Sequence, residues 1–370
     1  MASSNLTMVR GSSACALEQR EISASAPGER ICRILRAGVC GTDLQIMRRV
    51  RSDAAAVLGH EGLAAVSTGS GTRPVIFNPV DPSVQDRVLG HSYDGIFRQL
   101  FLHDQDGPGL VDADAGLVAD LAPLVEPLGA VLYGWELLSR VTRTDTVAVW
   151  GSGTTAVLAA LVGELRGCQM HLVHPREERL RYLSERDLLG STILRHRPEG
   201  LPEVSAAFLC LPREAAPGAL TEALDVLAPD GVIDLFGGFG PGDRHTGLPG
   251  VDLGAVRRAN VCGHPVDGAV TWTRTLAGRK VGLTGHRGTT RRHLEAAQRL
   301  LRRSPATFTP LITHVLSLAA AAEVIPAVAS GAAVPVGARE RVKMVIDPLL
   351  PGRAHRPVDP VTKISDLDLT

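Results

Sequence analysis

The apolar periodicity of this chain changes character at Leu117, and that change limits the fold more than any other feature. Before it, runs such as ERICRILRAGVC, LAAVSTG and PVIFNPV alternate in strand fashion and are punctuated by Gly and Pro. Many short strands ahead of any long helix argue for a partly open β-barrel. After it, LVADLAPLVEPLGAVLYGWELL spaces its apolar residues as a helix does. Strand and helix then alternate: TVAVW with TTAVLAALVGELRGC, QMHLVHP with REERLRYLSERDLLG, AAFLCLP with TEALDVLAPDG, then VIDLFGGFG. Such alternation builds a parallel sheet covered on both faces, an α/β architecture. KVGLTGHRG adds a strand, TRRHLEAAQRLLRR and LSLAAAAEVIPAVASG add helices, and RVKMVIDP closes as a strand that returns to the first domain. The first ten residues are expected to be loose and the tail after Pro348 poorly ordered.

Bulk composition narrows the partners. The 370 residues leave room for two domains, and 44% hydrophobic with 21% charged residues is globular composition. A formal net charge of zero gives no field that would attract nucleic acid or an anionic membrane. No apolar run approaches the roughly 20 residues of a membrane span. The amino terminus lacks a hydrophobic signal core, so a cytoplasmic protein is expected. Cys15, Cys32, Cys40, Cys168, Cys210 and Cys262 are scattered without paired spacing, which argues against a disulfide framework.

The chemistry concentrates in RAGVCGTDLQIMRRVRSDAAAVLGHEG, from Arg36 to Gly62. Cys40 and His60 are each followed closely by an acid, Asp43 and Glu61. A thiolate, an imidazole and carboxylates form the ligand set that zinc prefers. The spacing is too long for a zinc finger and suits a site assembled by folding, with a coordination position left for substrate. Met alone, each residue would more simply be a buried thiol or a core histidine; the two contexts together outweigh that.

GVCGTDLQ followed by GHEG resembles the catalytic-zinc region of the medium-chain, zinc-dependent alcohol and polyol dehydrogenases. The similarity continues in order through NPVDP, LVEPLG, VAVWGSGTTAVLAA, VIDLFGGF and RVKMVIDP, from about Glu29 to Pro348. It implies a discontinuous GroES-like catalytic domain, residues 1–127 and 285–370, and a Rossmann doubly wound nucleotide domain, residues 128–284. It also implies hydride transfer between a nicotinamide cofactor and a secondary alcohol or ketone.

By this resemblance Glu126 is the third metal ligand beside Cys40 and His60. A helix-start carboxylate at the domain junction is its plainer alternative. Glutamate there is typical of the polyol, sugar and amino-alcohol branches, which points to polyols, cyclitols, aminocyclitols or sugar derivatives. Glu61 is either a direct ligand or a neighbour that exchanges with one. Asp43 is placed to accept the second ring N–H of His60. The Thr42 hydroxyl would bond the substrate hydroxyl and pass its proton outward. Relatives that extend this path carry histidine five residues past the cysteine; Gln45 stands here and cannot titrate. Family members often carry a second, structural zinc on four cysteines after NPVDP. This chain has PSVQDRVLGHSYDG there, with no cysteine between Cys40 and Cys168, so one catalytic zinc and no structural zinc are expected.

GSGTTA is the cofactor turn: Gly151 and Gly153 fit the dinucleotide fingerprint, with Ala156 in place of its third glycine. At the end of the next strand an acid would hold the ribose hydroxyls of NAD. His174 stands there with Arg176 and Arg179 after it, which favours NADP, although arginine is also ordinary helix surface. Lys343 matches a basic residue that contacts cofactor phosphate in relatives. Tyr93, Phe97 and Trp135 are pocket candidates with core packing as their plainer fate. A small-molecule alcohol or ketone is the expected partner, in a homodimer or homotetramer joined along a sheet edge such as KVGLTGHRG. The competing readings are a zinc-free quinone or enone reductase of the same fold, disfavoured by the complete Cys, His and Glu set, and a non-catalytic nucleotide-binding protein.

Overall fold

The computed structural model describes residues 3–369 apart from 70, 81–83, 85, 105–106, 262–263, 266–269 and 338–339. Cys262 and part of the shortened lobe (residues 82–95) therefore fall outside the described residues. The chain divides into two compact units, residues 1–127 with 290–370, and residues 128–289.

The first unit is organised on the strand Arg30–Val39, whose residues 34–39 are all buried. It pairs antiparallel with Glu61–Thr68 on one side and with Lys343–Ile346 on the other. The eight-stranded sheet runs His355–Arg356, Ile312–Leu316, Lys343–Ile346, Arg30–Val39, Glu61–Thr68, Gly71–Asn78, Gly109–Asp112, with Leu100–His103 also on Arg30–Val39. Ile34, Val66, Phe77, Phe101, Leu316 and Ile346 fill its core.

Both chain ends are more ordered than expected. Ser3–Arg10 and Cys15–Ile22 form an antiparallel hairpin, anchored where Met8 enters the core and donates its N–H to Phe97 O at 2.9 Å. Its polar alternation hides the strand, because few of its side chains are buried. At the other end Arg356 bonds both carboxylate oxygens of Asp120, at 2.6 and 2.7 Å. Arg36 reaches Asp120 at 2.7 Å and Asp347 at 3.0 Å. Desolvation pushes the Asp120 carboxyl up, but Arg356 and Arg36 together hold it below its ordinary value. Charges this deep are tolerated because each is paired. They fasten a tail that composition alone reads as loose.

The second unit carries a seven-stranded sheet in the order Ile193–Arg195, Gln169–Val173, Thr146–Trp150, Val204–Leu209, Leu227–Asp234, Lys280–Thr284, Thr271–Arg274. The first six are parallel, in the 3-2-1-4-5-6 order of a dinucleotide-binding sheet. Thr271–Arg274 runs antiparallel beside Lys280–Thr284 and is the edge. The strand in KVGLTGHRG is thus one place inside the edge it was expected to form. Trp135 and Phe97 are fully buried, as core packing requires. The helical run Ala119–Ser139 is long and apolar enough to cross a membrane, contrary to expectation, because a 3-10 turn continues directly into the next helix; 78% of its most apolar window is buried inside the protein.

One charge in the second unit lacks a partner. Asp234 is fully buried and neither carboxylate oxygen has a hydrogen bond. It lies against Gly134, where a Cβ would come within 2.5 Å of its Oδ2. Burial pushes its carboxyl up to about 7, against the pull of Arg257. The fold therefore favours the protonated acid, and stability should fall as pH rises from about 4 to about 7 and then level. Asp234→Asn removes that slope. Thermal unfolding from pH 5 to 8 should show the variant gaining on the parent as pH rises; a constant difference would contradict the assignment.

Candidate functional site

Cys40 stands where the strand Arg30–Val39 ends and helix α1 (Gly41–Met47) begins. It is the N-cap of α1 in a reciprocal cap: Cys40 Sγ accepts the Asp43 N–H at 3.2 Å, and Asp43 Oδ2 accepts the Cys40 N–H at 2.8 Å. The other oxygen of Asp43 accepts the Gly59 N–H at 3.2 Å. Asp43 thus ties the Cys40 turn to the loop carrying His60. It makes no hydrogen bond to the His60 ring, contrary to expectation; its oxygens hold the Cys40 and Gly59 amides. His60 Nδ1 is buried and has no hydrogen-bond partner.

Two overlapping sets of ligand atoms converge here. In Cys40, Asp43 and His60, and in His60, Glu61 and Glu126, the ligand atoms all lie within 4.8 Å of one another. Glu126 sits in the first turn of helix α2 (Val125–Ser139) and meets His60 and Glu61, whereas Cys40 meets His60 and Asp43; His60 is the residue common to both sets. Burial, then Asp43 and Glu61, push the Cys40 thiol well up. Glu126 is half-buried, and desolvation pushes its carboxyl up to about 7, with His60 opposing and Glu61 adding. An orphaned imidazole nitrogen among a thiol and three carboxyls fits a divalent cation, whose charge would compensate the crowded acids. Thr42 and Gln45 lie half-buried on α1 beside this cluster in sequence.

Lys343, expected to contact cofactor phosphate, is held within the first unit. It is 1% exposed, pairs with Glu61, and donates to Val39 O at 3.3 Å. Glu61 therefore sits between the ligand cluster and a buried ammonium.

In the second unit the strand Thr146–Trp150 runs through Gly151 into helix α3 (Thr154–Leu165). Gly151 has φ +128°, and a Cβ there would lie 2.4 Å from Cys210 O, so only glycine fits. Gly153 is the N-cap of α3, and no side chain caps the helix. Ala156 is fully buried. This is the geometry in which helix amides receive a pyrophosphate. His174 Nδ1 accepts the N–H of Arg176, which is exposed at the start of helix α4 (Glu177–Glu185). Arg179, expected near a 2′-phosphate, is instead 4% exposed and bonds Ser152 Oγ at 3.1 Å and Ser152 O at 2.6 Å. It braces the glycine turn through Ser152. Sequence reasoning missed Ser152 in that role, since nothing in a fingerprint marks its middle residue. It also missed His91, whose ring stands against His60 with centroids 4.8 Å apart at 83°.

No family model matches the chain. Glucose 1-dehydrogenase 1 of Caldivirga maquilingensis is 27% identical over 258 residues, 61% of this chain and 72% of that protein. Among solved structures, L-idonate 5-dehydrogenase of Escherichia coli superposes with a TM-score of 0.70 at 16% identity, covering 94% of this chain and 99% of that one. A putative zinc-binding dehydrogenase of Sinorhizobium meliloti, bound to NADP, gives 0.68 at 17% identity, covering 94% of this chain and 100% of that one. At such identities the structural matches establish the fold.

The position of Arg179 makes a distinction between bracing and recognition. Arg179→Ala should weaken NAD and NADP binding by the same factor, about tenfold, since hydrogen bonds from a charged group are lost behind the turn. Fluorescence titration with both nucleotides checks this. A loss confined to NADP would return Arg179 to the 2′-phosphate.

Proposed function

We propose that the chain, which is similar to the zinc-dependent alcohol and polyol dehydrogenases of the medium-chain dehydrogenase/reductase family, is an NAD(P)-dependent zinc enzyme interconverting a secondary alcohol and its ketone. Two sets of ligand atoms that share His60, one with Cys40 and Asp43 and one with Glu61 and Glu126, each within 4.8 Å, carry the reading. Polyols, cyclitols, aminocyclitols and sugar derivatives are the substrate class. The carboxylate at Glu126 supports it, as do relatives named for glucose and L-idonate.

Cys40, His60 and Glu126 would hold one zinc, with Glu61 shared between that position and Lys343. When bound, the zinc acidifies the substrate hydroxyl and the nicotinamide accepts the hydride. The chain's own residues do the rest. Burial keeps Cys40 a thiol, so loading the site releases protons. Thr42 holds the substrate hydroxyl and hands its proton outward. Gln45 cannot take that proton, so the path continues through water. Gly151 and Gly153 set the turn on which the cofactor pyrophosphate rests. His174 in place of an acid, with exposed Arg176 following, favours NADP over NAD. The edge strand Thr271–Arg274, with Trp272 41% exposed, is the surface through which copies would pair as a dimer or tetramer. The five described cysteines are free, which suits the reducing cytoplasm.

Elemental mass spectrometry of purified protein should find about one zinc per chain. Cys40→Ser and Glu126→Gln should lose zinc and dehydrogenase activity on a polyol and sugar panel together while keeping nucleotide affinity. Absence of zinc from protein that still binds nucleotide would overturn the mechanism, and two zincs would overturn the single-site assignment.

A further inference from the structure

A metal-binding imidazole needs its ring direction set by something, and here no carboxylate does it. Both oxygens of Asp43 accept backbone amides, from Cys40 and Gly59. The ring packed against His60 is that of His91, edge to face at 83° with centroids 4.8 Å apart.

The segment carrying His91 is itself locked to the loop carrying His60. The Ala55 N–H bonds His91 O at 2.8 Å. Asp94 Oδ1 accepts the amides of Ala56 and Val57 at 2.8 and 3.0 Å. Gly95 N–H reaches Val57 O at 2.7 Å, Ile96 N–H reaches Gly59 O at 3.0 Å, and Phe97 N–H reaches Leu58 O at 3.0 Å. A Cβ on Gly95 would lie 2.1 Å from Gly59 O, so the two backbones touch only because that residue is glycine. Residues 55–59 and 90–97 therefore move as one piece, and His91 is fixed relative to His60 by backbone bonds.

We propose that His91 is a positioning residue for the metal, orienting the His60 ring by aromatic packing where a hydrogen-bonded carboxylate would otherwise do so. Edge-to-face pairing has a preferred geometry, so it restricts ring rotation without needing an acceptor. The inference rests on the zinc reading above.

The test is zinc affinity by competition with a chromophoric chelator, with visible absorption of the cobalt(II)-substituted protein as a second readout. His91→Ala should weaken zinc binding by roughly tenfold or more, the scale seen when a partner that orients a ligand is lost. It should also shift the cobalt spectrum. His91→Phe keeps the ring and should hold both readouts near the parent's. Unchanged affinity and spectrum in His91→Ala would overturn the proposal. So would a tenfold or greater loss of zinc affinity in His91→Phe relative to the parent, which would mean that an imidazole nitrogen is what counts; this comparison decides even if the alanine variant does not fold. A parent protein that binds no zinc would instead defeat the zinc reading itself.

Discussion

The reciprocal cap between Cys40 and Asp43 is the joint on which the first unit's chemistry depends. It ends a buried strand, starts a short helix, and points a thiol at the place where His60 arrives. The second oxygen of Asp43, bonded to the Gly59 amide, carries that constraint across sixteen positions to the histidine loop. A carboxylate that looked suited to the imidazole is used to hold the backbone on both sides of it. The ligands are thereby placed by main-chain geometry, and the side chains have little freedom left to lose when a cation enters.

Charge burial follows the same economy. Glu61 lies 3% exposed beside Lys343 at 1%, a pair tolerated because each cancels the other. Arg36, Asp120, Asp347 and Arg356 do for the returning tail what Glu61 and Lys343 do for the ligand cluster. Glu126 has no such salt-bridge partner among the described residues, and burial, with Glu61 beside it, pushes its carboxyl up. The donor set is more acidic than its surroundings can balance. A divalent ion would balance it.

The parallel sheet, its strand order and its glycine turn were legible in the sequence because buried strands there are continuous apolar runs and φ +128° admits only glycine. Cys40, His60 and Glu126 could be brought together only through family resemblance, since they come from three segments whose meeting is set by folding. What stayed hidden had polar clothing or long-range causes. The hairpin Ser3–Arg10 with Cys15–Ile22 reads as loose because only a few residues such as Met8 face the core. The tail reads as disordered because its order comes from Asp120, more than two hundred positions away. Arg179 reads as a phosphate ligand because charge suggests solvent, yet Ser152 takes its guanidinium. His91 gave no signal, being defined by which ring it touches.

The proposed zinc site combines one thiolate, one imidazole and carboxylate. X-ray absorption at the zinc edge of the loaded protein reads that set directly. The predicted result is a single sulfur at about 2.3 Å with nitrogen and oxygen at about 2.0–2.2 Å. A shell without sulfur, or with several, would place the metal elsewhere and contradict the site described here.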